Sequence, residues 1–355
     1  MIRSCLVVMG VAAGMLAAQT PARPYKVVKT AQVGGEGGWD YIYADSAGRR
    51  LYIPRSETRT TPNPGNRITI FNLDTLAPLG AIPDTGGQGV AVCPGTGHGF
   101  ASSHPQVTMF DTRTDKVMKK IDVGAARADG ILCDGYNDRV YVFSHPTHNA
   151  TVIDGKTGNL VGTIDLGGTP EEGVADGHGT LYDVMQDKEG GVAVVDVKAM
   201  KTVKHYSFDG NGGCNGLALD TKNQVLFAAC RAPQPTMVIL SATDGKILAK
   251  LPLAGGSDGA VFNPATREAF STGGNGTLTI VKEESPTKFA VEQDLKTMDG
   301  ARTITLDSKT NHILTMSQKF EPPPPQPAGA APAEGRGRFR RQAVPGSFTI
   351  LVIGR

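Results

Sequence analysis

Apolar residues at helical spacing are scarce in this sequence, and so are the motifs that announce chemistry. No P-loop, dinucleotide fingerprint, nucleophile elbow or Ser/His/Asp arrangement is recognisable, so nothing supports nucleotide binding or nucleophilic hydrolysis. The five cysteines include no CxxC pair and no CxxCH, which removes zinc-ribbon, thioredoxin-type and c-type haem readings. Charged residues are only 20% of the chain and tryptophan occurs once. After the N-terminus no stretch is apolar enough to span a bilayer.

What is abundant is glycine, 45 residues, and proline, 23. Between them lie short runs rich in Val, Ile, Thr and Tyr, the pattern of many short strands. The formal net charge of +2 has a local origin. Within 319–346, Lys319, Arg336, Arg338, Arg340 and Arg341 outnumber Glu321 and Glu334, so the body of the chain is mildly acidic.

The first residues, MIRSCLVVMGVAAGMLAAQT, carry Arg3, an apolar run and then small residues. This reads as a secretory signal peptide, residues 1–18, cut near Ala18. Cys5 precedes the apolar run and is therefore no lipobox cysteine. The expected product is a soluble periplasmic or secreted protein, with a monomer as the simplest state.

Residues 19–355 repeat. The segments that begin at Asp40, Gln88, Asp129, Glu172, Asn215, Asp258 and Arg302 are 48, 41, 43, 43, 43 and 44 residues apart. Each unit reads as an apolar strand, a polar turn and a second strand. A third follows, as in VTMFDTRTDK, ATVIDGKTGN and VAVVDVKAMK, and a fourth closes the unit. Asp111, Asp154 and Asp196 end third strands, where an Asp side chain caps the next turn. Seven units of four strands predict an all-β, seven-bladed β-propeller. The last residues, GSFTILVIGR, supply only a third strand for blade seven. The N-terminal YKVVKTAQVGG (25–35) is expected to complete that blade and close the ring.

DRVYVF, VIDGKTGNLVGTIDLGGTPE, DGAVFNPAT and GARTITLD resemble the YVTN-type repeats of exported bacterial propellers, the YncE-like family, over roughly residues 25–355. The resemblance implies the fold strongly and function weakly, because that family is functionally diverse. A relative is reported to bind single-stranded DNA, and similar propellers include sugar-lactone hydrolases and an antibiotic lyase. A fold shared so widely does not assign chemistry.

Register places the candidate site. The residues that start the innermost strands, Asp40, Gln88, Asp129, Glu172, Asn215, Asp258 and Arg302, should ring one mouth of the central channel. Convergent polar groups in a concavity are the default binding site. Oxygen donors from Asp129, Glu172, Asn215 and Asp258 would suit Ca²⁺ or Mg²⁺, able to activate water or polarise a lactone carbonyl. The alternative is that these side chains cap strand starts and bond the neighbouring blade. Trp39 sits among glycines at the same mouth, placed either to stack on a sugar or cation or to pack between blades one and two. SSHPQ (102–106) and FSHPTH (143–148) occupy equivalent loops of blades two and three, so His104 and His145 could converge with Asp129 between them, or simply decorate solvated loops. His98, His178 and His312 fall on the far face.

In the blade-five hairpin Asn215 should face Cys230, which brings Cys214 within reach of a Cys214–Cys230 disulfide. Cys93 and Cys133 end innermost strands of adjacent blades and are expected to be free and buried. The insert 319–346 in blade seven, Pro-, Ala-, Gly- and Arg-rich, is expected to be disordered. Three functions follow. The first is a binding propeller for an envelope protein, a glycan or a small molecule. The second is a lactonase, hydrolase or lyase dependent on a divalent cation. The third is an anion or single-stranded nucleic-acid binder acting through RGRFRR.

Overall fold

The computed structural model describes residues 23–57, 65–103, 105–124, 127–322 and 342–355. Residues 1–18, expected from sequence to be a signal peptide, His104 and the stretch 323–341 of the blade-seven insert lie outside these residues. Seven four-stranded antiparallel sheets form a β-propeller, and no helix occurs among the described residues. No helix long and apolar enough to cross a membrane is therefore present there.

The innermost strands are Tyr43–Asp45, Val90–Cys93, Ile131–Asp134, Pro170–Ala175, Gly212–Asp220, Ser257–Asn263 and Ile304–Asp307. In blade seven the order runs from Ile304–Asp307 through His312–Ser317 and Thr349–Gly354 to the N-terminal strand Lys26–Gln32, which closes the ring as expected. The closure is also chemical. Tyr25 Oη donates to Glu268 Oε2 of blade six at 2.6 Å, Arg355 is paired with the same carboxylate, and the backbone N–H and C=O of Tyr25 bond the side-chain amide of Gln293. Both described ends of the propeller are thus tied to one buried glutamate.

A single blade cannot cover both of its faces, so the core is divided among the blade junctions. Each of seven apolar clusters straddles one pair of neighbours. Middle strands are buried along their length, as in Arg139–Ser144, while outer strands such as Leu160–Asp165 bury little. Every outer strand also carries one extra residue against its neighbour: Val28, Leu79, Met118, Val161, Val203, Leu248 and Glu292. The predicted turn caps form. Asp111, Asp154 and Asp196 each accept two backbone N–H bonds from the residues two and three ahead.

Two disulfides are present. Cys214–Cys230 forms as expected, although Cys214 itself, rather than Asn215, stands opposite Cys230. A bulge between Cys214 and Gly216 shifts the register by one residue. The expectation of free thiols at Cys93 and Cys133 is overturned. They are bonded, with Cα atoms 5.4 Å apart, because the ends of adjacent innermost strands come that close at the blade 2–3 junction. The base of the blade-seven insert is ordered: Phe320 bridges Ala343, Glu321 N donates to Gln342 O, and Val344 N donates to Lys319 O.

Candidate functional site

Three consecutive blades, four to six, begin their innermost strands with a register break at the channel mouth. The breaks fall between Pro170 and Gly173, Cys214 and Gly216, and Ser257 and Ala260. A bulge sets two residues against one and re-aims side chains. In blade four it puts Glu171, not Glu172, at the centre of the mouth.

Glu171 gathers groups from four other places in the chain. Tyr41 Oη donates to its Oε1 at 3.0 Å and Asn215 Nδ2 to the same oxygen at 2.9 Å. Gln186 Nε2 donates to Oε2 at 3.2 Å. His145 Nε2 lies 2.5 Å from Oε2 and 3.6 Å from Asp129 Oδ2. Burial alone would lower the pKa of His145. The hydrogen bond and charge of Glu171, helped by Asp129, outweigh it and raise the pKa above the ordinary value. Asp129 is also within 3.2 Å of Arg127 Nη2. Blades one, three, four and five therefore meet in one polar cluster.

A second group adjoins it. Asp258 is paired with Arg231 and, at 3.1 Å, with Arg302 Nε, while Arg302 Nη2 donates to Trp39 O at 3.4 Å. Asp40 lines the channel and makes no hydrogen bond to any described residue. Burial drives its carboxyl pKa well up, and the nearby Asp258 adds to this against the pull of Arg302. Burial likewise raises Asp258, with its two arginines opposing.

Glu172 is enclosed by protein and only partly accessible. Its Oε2 accepts the N–H of Leu217 at 2.8 Å and of Ala260 at 3.3 Å, bracing the innermost strands of blades five and six. Burial pushes its carboxyl to about 8 despite those bonds. Asp183, fully buried, accepts from Glu171 N at 3.3 Å and is also raised by burial.

Of the residues predicted to ring the mouth, Asp129 and Asn215 meet at the Glu171 cluster and Asp258 pairs with Arg302, while others lie apart. Trp39 is buried in the core between blades one and seven, edge-on to Phe348 at 5.1 Å, rather than between blades one and two. Gln88 belongs to a separate groove with Ser56, Asn66 and Ser103. His148, the companion of His145 in the sequence, takes a left-handed turn position with φ 53°. The proposed ligand set Asp129, Glu172, Asn215 and Asp258 is split among different partners. Among the described residues no three His, Cys, Asp or Glu side chains gather as a metal site. GGSDG (255–259) spells GxSxG. Ser257 begins a strand followed by no helix and bonds Ser271 Oγ at 2.8 Å, so it forms no elbow.

Tyr41, Glu171, Gln186, Arg127 and Arg231 were not singled out from sequence. Arg231 reaches Asp258 from the neighbouring blade, Arg127 lies two residues before its partner Asp129, and no motif marks either pairing. The doubled GluGlu at a strand start was the one visible hint of a bulge.

No family model matches this chain, and no curated protein matches it. Solved structures do resemble it. A chain of Kuenenia stuttgartiensis hydrazine synthase is 14% identical, with TM-score 0.66, over 78% of this chain and 92% of that one. The RRP9 WD40 repeats are 11% identical, with TM-score 0.69, over 93% and 97%. A chain of the mitotic checkpoint complex is 12% identical, with TM-score 0.69, over 88% and 96%. At such identities the likeness is one of fold, and that fold is the β-propeller.

Proposed function

We propose that this chain is an exported propeller of the YVTN type that binds a small polar ligand in its channel mouth. The observation that carries this is the meeting of Tyr41, His145, Glu171 and Asn215, contributed by four blades, around one carboxylate. Convergent polar groups at a propeller's axis are a ligand site in form. The two disulfides fit an oxidising compartment, and hence export.

A thermal-shift screen of sugars, amino acids, amines and polyols against the whole chain tests the reading. A ligand that stabilises the wild type should lose its effect in Glu171→Gln and Asn215→Leu. Hits that survive both substitutions would place binding elsewhere and remove the proposal. Export is tested separately: the envelope fraction should contain the chain without residues 1–18, and full-length protein confined to the cytosol would refute it.

A further inference from the structure

Resting on the reading above, we propose that the ligand of the channel mouth is a small organic cation, held beside Glu171 by Asp40 and the Oδ1 atom of Asn215. The argument is an inventory of donors and acceptors. The donors at the mouth are engaged: Tyr41 Oη, Asn215 Nδ2 and Gln186 Nε2 on Glu171, Arg127 against Asp129, and Arg231 and Arg302 on Asp258. What remains open is acceptor capacity. Asp40 has no hydrogen-bond donor among the described residues. Asn215 is only 2% exposed, and its Oδ1 has no partner there either. An unpaired buried acceptor is costly unless something supplies a donor. The hydrogen bond from Nδ2 to Glu171 fixes the amide so that Oδ1 is the free end.

A ligand that completes this site brings N–H donors and positive charge. An alkylammonium or amidinium group does both. A bare divalent ion would ask for three or more ligating side chains drawn together, which the described residues do not provide. Of the orphaned donors nearby, Trp39 Nε1 and Arg55 Nε belong to side chains packed on Phe348 in the blade 1–7 core, and His145 Nε2 already faces Glu171 Oε2 at 2.5 Å.

Asp40 also gives the site a proton signature. Burial, with Asp258, Asp129 and Glu171, favours its protonated form against the pull of Arg302. A cation that pairs with Asp40 displaces that proton, so binding releases protons and tightens as pH rises toward the carboxyl's own pKa.

The test is isothermal titration of the whole chain with putrescine, propylamine, benzamidine and, as a neutral control, glucose, in phosphate and in HEPES at pH 7. At least one amine or amidine should bind, with an enthalpy that differs between buffers in the sense of proton release. Asp40→Asn should weaken it at least about tenfold and abolish the buffer difference. This variant removes a disfavoured charge and no hydrogen bond, so its fold should hold. Asn215→Leu should also weaken binding. If none of the cations binds, if one binds equally to Asp40→Asn, or if it binds without proton release, the inference falls. Glucose binding that is lost in Glu171→Gln, with no cation bound, would leave the small-ligand reading standing and overturn only the cation.

Discussion

Replacing Glu172 by glutamine separates a hydrogen bond from a charge. Both amides that reach this side chain, Leu217 N and Ala260 N, use the same oxygen, so a glutamine carbonyl in that place keeps both. Only the titration is lost. Burial moves the carboxyl from 4.5 to about 8. Below pH ~4.5 the folded and unfolded chains both carry the proton, and no difference arises. Between the two values the folded chain keeps a proton that the unfolded chain has released. Stability therefore falls as pH rises, by about 1.4 kcal/mol per unit. The wild type should lose roughly 3 kcal/mol by pH 7 and roughly 5 kcal/mol above pH 8, where the curve levels. These are upper bounds, since water in the channel shares the charge. Glu172→Gln lacks this slope. Urea denaturation with disulfides intact, at pH 5, 7 and 9, should show near-equal stability at pH 5 and a growing advantage for the variant above it. A gap that does not change with pH, or a wild type that gains on the variant as pH rises, would refute the assignment of a buried, proton-holding carboxyl.

The remaining predictions concern the frame and the histidine. Replacing Cys93 and Cys133 by serine should cost up to about 4 kcal/mol, and replacing Cys214 and Cys230 up to about 3 kcal/mol, because the bridges span 40 and 16 residues. Denaturant titration checks the order, and the reverse order would contradict the chain-entropy account. Glu268→Ala leaves the Tyr25 hydroxyl without its acceptor and Arg355 with Glu292 as its remaining carboxylate, and should cost about 1–3 kcal/mol, with faster tryptic cleavage at Lys26 and Lys29; unchanged cleavage and stability would show that this glutamate does not hold the ring shut. His145 should titrate by NMR above its ordinary 6.5, and its contribution to stability should be full at low pH and fade as pH rises through that midpoint. A midpoint at or below 6.5 would mean that Glu171 does not govern the imidazole.

The fold was legible because repetition compounds weak evidence. One strand–turn–strand segment says little, but seven at a period near 43 residues specify blade number, strand order and the closing N-terminal strand. The site was legible only to the resolution of the repeat. Aligning the units located the mouth, yet the bulge at Pro170–Gly173 exchanged the roles of Glu171 and Glu172, and one residue of slip turns a side chain to the other face. Tyr41 went unremarked because an aromatic just ahead of a strand is ordinary until the ring brings it to Glu171. The Cys93–Cys133 bridge depends on how closely two blades approach, a distance that no register within a blade contains.

The extra residue in each outer strand bears on what this molecule can become in company. A propeller exposes one sheet edge per blade, and an unbroken edge is a template for another chain's strand. Here the ladder is interrupted on all seven edges, at Val28, Leu79, Met118, Val161, Val203, Leu248 and Glu292. An incoming strand would meet a kink in the row of backbone donors and acceptors and would have to match it to pair any further. Rim-to-rim polymerisation and capture of extended peptides along the circumference are thereby disfavoured, even though five of these residues are exposed and apolar. Recognition is left to the two faces of the disc, where loops rather than edges do the selecting.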